Sequence, residues 1–80
     1  MLLKHAIGDT IRIIRTSNSL TLRQLSERSY VSLGHLSEIE RGYKEASTAV
    51  LEAVAKGLEV STAQLIKEIY EYLQGGEKHD

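Results

Sequence analysis

Eighty residues with a formal net charge of −1, 41% hydrophobic side chains and no cysteine make a single small domain. A domain of this size buries only about 60% of the surface its unfolded chain exposes, so its core must be compact and no second catalytic or ligand-sensing domain fits beside it. The absence of cysteine excludes a disulfide framework and a thiolate metal site. Met1 is followed by only two leucines before Lys4, too short for a signal-peptide core, and no later stretch approaches the roughly 20 apolar residues that span a bilayer. A cytoplasmic protein without membrane contact is expected. The net charge conceals an asymmetry: residues 1–44 carry seven Lys/Arg against four Asp/Glu, residues 45–80 three against seven. One part of the chain can face phosphates while the other faces solvent or a partner, or the surface is simply mixed.

Proline is absent and apolar residues recur at intervals of three and four, which predicts an all-α domain of five helices. In the first, Leu3, Ile7, Ile11 and Ile14 form one stripe with Arg12 and Arg15 off it, and Ser17-Asn18-Ser19 ends it, because these side chains hydrogen-bond to nearby backbone in competition with the helix. The second starts at Thr21, where Thr21-x-x-Gln24 is a capping box, and turns Leu22 and Leu25 inward. Ser32 opens the third, with Leu36 and Ile39 on its inner face. The fourth starts from Ser47 and carries Val50, Leu51, Val54 and Leu58 at helical spacing, with Gly57 near its end. The last begins at a second capping box, Ser61-x-x-Gln64, and runs through Leu65, Ile66, Ile69, Tyr70 and Leu73. Gly75-Gly76 is expected to stop it, giving a domain over residues 1–74 and a mobile tail over 75–80.

Helices two and three are separated only by about Ser29 to Val31, so they must meet at a steep angle that leaves the outer face of the second free to project. That is a helix-turn-helix arrangement, whose second helix enters the DNA major groove by its N-terminal residues while the first crosses the backbone. Ser32, Gly34, Ser37, Glu38 and Arg41 avoid the Leu36/Ile39 face, and Gly34 lets backbone approach DNA closely. An ordinary polar face on a small bundle is the plainer alternative.

The stretch from Leu20 to Gly42, LTLRQLSERSYVSLGHLSEIERG, resembles the Cro/C1-type (XRE-like) helix-turn-helix family, whose S-x-I-E-x-G ending is matched by Ser37, Ile39, Glu40 and Gly42. The resemblance extends over roughly residues 7–70 and implies a compact five-helix lambda-repressor-like domain. Ser26 departs from it, standing where a small alanine usually packs, and so does Tyr30, where glycine often permits a left-handed turn. A narrower likeness, to the ClgR-type regulators of actinobacteria, rests on Gly8-Asp9, Thr21-Leu22-Arg23, Val31-Ser32-Leu33-Gly34 and Lys44-Glu45-Ala46-Ser47. It implies an activator of Clp protease and stress genes, with RNA polymerase as a further partner.

The resemblance assigns Arg15 and Glu40 to an ion pair tying the first helix to the end of the third, and a planar guanidinium fork suits a carboxylate there. Leu33, Gly34, Ser37 and Glu38 are the candidates for base contacts: a thymine methyl for Leu33, hydrogen bonds for Ser37, and cytosine N4 for Glu38. Thr21, Arg23, Ser32, Arg41, Tyr43 and Lys44 sit at helix starts or in the loop after the third helix, where they can reach phosphate oxygens. His35 is either a rim contact or solvent-facing. His5, His35 and His79 lack the spacing of metal ligands, and no phosphate loop or nucleophile motif occurs, so no metal, cofactor or enzymatic activity is expected. Ile66, Ile69, Tyr70 and Leu73 offer more apolar surface than so small a bundle can bury, which predicts a symmetric homodimer reading a palindrome in double-stranded DNA. Phage-type repressors, restriction-modification controllers and antitoxins share the fold and differ in operator and partner. An interaction adaptor using the same scaffold on a protein is the alternative from another class.

Overall fold

The helix starts fall where hydroxyl side chains can take up amides that a first turn leaves free. In the computed structural model, which describes residues 1–78 and side chains through residue 75, the order is α1 (Leu3–Ser17), α2 (Leu22–Ser29), α3 (Leu33–Glu40), α4 (Thr48–Gly57) and α5 (Thr62–Lys78). The Thr21 hydroxyl accepts from the Gln24 amide at 3.0 Å and the Gln24 side chain accepts from the Thr21 amide at 2.8 Å, completing the first capping box. Ser32 and Ser47 cap α3 and α4 through the amides of His35 and Val50, each at 3.2 Å. The second box is only half made. Ser61 accepts from the Gln64 amide at 3.0 Å, but the Gln64 side chain turns forward to donate to Glu68 at 2.8 Å.

The helix ends share one device. Ser19, Tyr30, Gly42 and Glu59 follow α1, α2, α3 and α4 with φ between 57° and 75°. After α1, α3 and α4 the next residue then donates five positions back: Leu20 to Arg15, Tyr43 to Glu38 and Val60 to Ala55, at 3.0, 2.8 and 3.0 Å. These are Schellman closures, which satisfy carbonyls the helix leaves free. Only Gly42 has the residue type that takes this conformation without a Cβ penalty.

Ile11, Leu25, Leu36, Ile39, Val54 and Leu65 are the largest fully buried side chains, so every helix contributes to one core. α1 packs on α3 and α5, α2 on α3 and α4, and α4 on α5. The stripe expected on α1 holds for Ile7 and Ile11, with Ile14 partly buried, but Leu3 lies one turn too far out and is 57% exposed. The expected stop at Gly75-Gly76 is not made: α5 continues through both glycines to Lys78, since each glycine costs a helix only about 1 kcal/mol relative to alanine. The domain boundary expected at residue 74 therefore falls inside a helix, and residues 79–80 of the expected tail lie outside the described residues. No described helix is long and apolar enough to cross a membrane.

Candidate nucleic-acid interface

The α2–α3 turn is held by serines. Tyr30 ends α2 in the left-handed region at φ 61° and ψ 17°, with its ring 95% exposed. The Ser26 hydroxyl donates to the Val31 carbonyl at 2.6 Å, and the Ser29 hydroxyl accepts from the Val31 amide at 3.2 Å. Both polar groups of the turn's one inward residue are thereby satisfied, and Val31 itself reaches the core. Serine at position 26 is therefore an additional tie across the turn.

Three anchors fix α3 from behind. Leu36 and Ile39 have no exposure at all. Gly8 lets the α1 backbone pack directly on the end of α3, where a Cβ would collide with the carbonyl oxygens of Ile39 and Glu40. Arg15 and Glu40 form a bidentate pair: Nε donates to one carboxylate oxygen at 2.7 Å and Nη2 to the other at 2.9 Å, while Nη1 donates to the Leu20 carbonyl at 2.8 Å. The side chains are 14% and 6% exposed, and the carboxylate holds the Arg15 guanidinium charged by pushing its pKa further up. One residue of α1 thus joins the α1–α2 turn to the last turn of α3.

The outer side of α3 is an open groove lined by Ser32, Gly34, His35, Ser37, Glu38, Arg41 and Lys44. A Cβ at Gly34 would meet nothing within 4 Å, so this stretch of backbone is unobstructed. Arg41 is held in place: Nη2 donates to the Ser37 hydroxyl at 2.9 Å and the guanidinium lies 5.1 Å from the centre of the Tyr43 ring. Ser37 accepts from Arg41, which leaves its own hydroxyl proton to donate outward. His35, left between rim and solvent by the sequence, is half-buried and belongs to the groove wall. Leu33, 36% exposed, lies in the first turn of α3 outside the lining, and Thr21 and Arg23 are exposed at the start of α2. The Thr21 hydroxyl is already an acceptor for the Gln24 amide. Tyr43, 68% exposed, and Lys44 extend the face into the loop after α3.

The residues expected at a dimer interface divide. Ile66 and Tyr70 are 47% and 60% exposed, one turn apart on α5. Ile69 is a correction, because at 4% exposure it belongs to the core of its own chain. Leu73 is also drawn in, partly buried against that core, as is Tyr72. The Tyr72 hydroxyl donates to Asp9 at 2.8 Å, pinning α5 to α1 and pushing the phenol pKa up, chiefly through that hydrogen bond. Nothing in the spacing of apolar residues announced this contact, since its partners are 63 positions apart.

Comparison with known proteins bears on this geometry. The transcriptional regulator ClgR of Mycobacterium tuberculosis is 46% identical over 59 residues, which are 74% of this chain and 53% of that protein. The immunity repressor protein of Bacillus phage phi105 is 36% identical over 62 residues, 78% of this chain and 43% of that protein. Among solved structures, the clp gene regulator ClgR from Corynebacterium glutamicum superposes with a TM-score of 0.84 at 40% identity, over 99% of this chain and 86% of that one. A wild-type restriction-modification controller protein does so with a TM-score of 0.84 at 26% identity, over 91% and 94%. The chain spans about half the length of the curated relatives it matches. The helix-turn-helix family matches residues 11–65, from the middle of α1 into α5, and so takes in α2, α3, the turn between them and the anchors Arg15 and Glu40: the chain belongs to the helix-turn-helix family, of the Cro/C1 (XRE-like) type.

Proposed function

We propose that this chain is the DNA-reading module of a transcriptional regulator, which binds a short inverted repeat in double-stranded DNA as a homodimer. The observation that carries the reading is the groove along α3, whose small and polar wall projects from a helix braced on its other side by the Arg15–Glu40 pair. With α3 in the major groove, Leu33, Gly34, Ser37 and Glu38 face base edges. Thr21, Arg23, Ser32, Arg41, Tyr43 and Lys44 flank them at the height of the phosphates and supply the salt-dependent part of the affinity. Ile66 and Tyr70 are the apolar surface α5 leaves for a second copy, and a twofold dimer sets two recognition helices about 34 Å apart, one turn of DNA.

The likeness to ClgR suggests that the genes controlled include those of Clp protease and stress functions, with activation through RNA polymerase. A repressor or controller role would use the same face on a different operator. The reading calls for no cofactor or catalytic step, and it places the protein with the DNA in the cytoplasm.

Selection of bound sequences from a random duplex pool, at two salt concentrations and with Arg41→Ala and Lys44→Ala, tests the proposal. Enrichment of a palindrome, with affinity falling as salt rises and in both variants, is the expected result. Binding without any enriched sequence would overturn it and favour a protein partner on the same scaffold.

A further inference from the structure

α1 approaches the proposed phosphate-binding loop at one point. His5, in its first turn, lies against Gly42, the left-handed residue just past α3, and a Cβ at Gly42 would run into the imidazole. Glycine here serves two ends: it closes α3 at φ 75°, and it makes room for the ring beside the loop that carries Tyr43 and Lys44. The surface cleft at this contact is lined by Met1, His5, Asp9 and Arg41, and Arg41 also forms part of the recognition groove. One arginine is therefore a wall common to both.

The charges around His5 favour an anion. On α1, Asp9 is one turn further along, but its Oδ2 accepts from the Tyr72 hydroxyl of α5 at 2.8 Å, and its Oδ1 is 3.7 Å from Arg12. Lys4, the neighbour of His5, borders a separate groove with Glu45. From the end of α3 the charge that shares the cleft is Arg41, oriented by Ser37 and the Tyr43 ring, and Met1, which also lines the cleft, carries the chain's α-amino group, which the His5→Gln comparison leaves in place. His5 is exposed, and among the described residues no hydrogen bond or ion pair engages its imidazole. Asp9 stays an anion in the same cleft, but Arg12 at 3.7 Å offsets its charge, so a protonated His5 and Arg41 leave the edge of the cleft net positive, where a phosphate can approach.

We propose that His5 is a further DNA-contacting residue of this chain, donating from α1 to a backbone phosphate next to the one Arg41 holds, and doing so more strongly when protonated. The inference rests on the DNA-binding reading above and adds α1 to the contact surface. Histidine gains its charge within the range of about pH 8 to 5, so the affinity for DNA becomes pH-dependent through a residue outside the recognition helix.

The test is the Kd for the selected operator, by fluorescence anisotropy at about pH 6 and about pH 8, for the unmodified chain, His5→Gln, His5→Lys and His35→Gln. The last is included because His35 lines the recognition groove itself. The expected result is binding about two- to fivefold tighter per half-site at the lower pH, the range of an exposed ion pair, and the product of the two factors for the dimer. That increment persists in His35→Gln and disappears in His5→Gln, whose salt slope at the lower pH falls by about one unit per protomer, close to two for the dimer. His5→Lys binds equally well at both pH values. An unchanged pH ratio and salt slope in His5→Gln would overturn the inference, as would loss of the increment in His35→Gln alone. Should His5→Gln melt early, His5→Lys decides: pH-independent binding supports the contact, and the original pH ratio refutes it. Failure of the underlying DNA reading looks different, since the unmodified chain would then prefer no duplex at either pH, and the contact would fall with it.

Discussion

Glu40 is 7% exposed, and its carboxylate has both oxygens on one guanidinium. Removing the carboxylate leaves a part-buried guanidinium without its counter-ion, held only by the Leu20 carbonyl, which costs more than the pair contributes over a well-packed apolar replacement. The Arg15 side of the pair is part-buried and Gln keeps one acceptor for it, so Glu40→Gln is expected to lower stability by about 1–2 kcal/mol, read as a lower urea midpoint. Tyr30 is the opposite case. Its φ of 61° strains a residue with a Cβ, and the exposed ring recovers little by packing. Tyr30→Gly should raise stability by about 0.5–1 kcal/mol, an increase in Tm of about 2–8 °C for a domain of this size, checked by thermal melting. The Arg15–Glu40 pairing was legible only through the family's S-x-I-E-x-G ending, because nothing in a linear sequence says that positions 25 apart face each other.

At the scale of the element, α3 combines a buried face of Leu36 and Ile39 with an outer face kept small at Gly34. Gly34→Ala should stabilise the helix by about 0.5–1 kcal/mol, because alanine is the better helix former and meets nothing there. If backbone approaches DNA at this point, the same change should weaken operator binding by roughly tenfold, about 1.4 kcal/mol. Opposite shifts in melting and affinity would separate a DNA-facing glycine from a merely tolerated one. The docking of α5 on α1 through Tyr72 and Asp9 carries a pH signature. The folded state holds the phenol proton more tightly than the unfolded state, so the contribution is complete below the ordinary tyrosine value of 10.0 and is lost as pH rises through the elevated folded value. Stability should thus decline above about pH 10 in the unmodified chain, and Tyr72→Phe should remove that part of the decline while costing about 1 kcal/mol or less at neutral pH. Denaturant titrations across this range decide it.

For the whole molecule, the question is how much apolar surface the five helices leave over. Ile69 and Leu73 turn into the chain's own core, and the surface remaining on α5 centres on Ile66 and Tyr70. A carboxylate at the centre of that patch would oppose association without touching the core. Ile66→Glu should convert the proposed dimer to monomer in sedimentation at micromolar concentration, leave the fold intact by circular dichroism, and weaken operator binding by on the order of tenfold or more as the second half-site is lost. A monomeric unmodified chain that binds the palindrome equally well would refute the assembly.

The amino-acid sequence alone determined the class and order of the elements, because caps and turn residues act through neighbours three to five positions away: Thr21 with Gln24, Ser32 with His35, Ser47 with Val50. It also marked α3 as the helix with an outer face of small and polar side chains. It misjudged the end of α5, where two glycines are carried along by the hydrogen-bonded ladder, and it could not divide the apolar residues of α5 between core and surface. That division depends on where α5 crosses α1 and α4, as does the meeting of Tyr72 with Asp9, whereas the meeting of His5 with Gly42 depends on where α1 crosses α3. Such contacts are decided by packing between segments far apart in the chain, and spacing along a single helix carries no record of them.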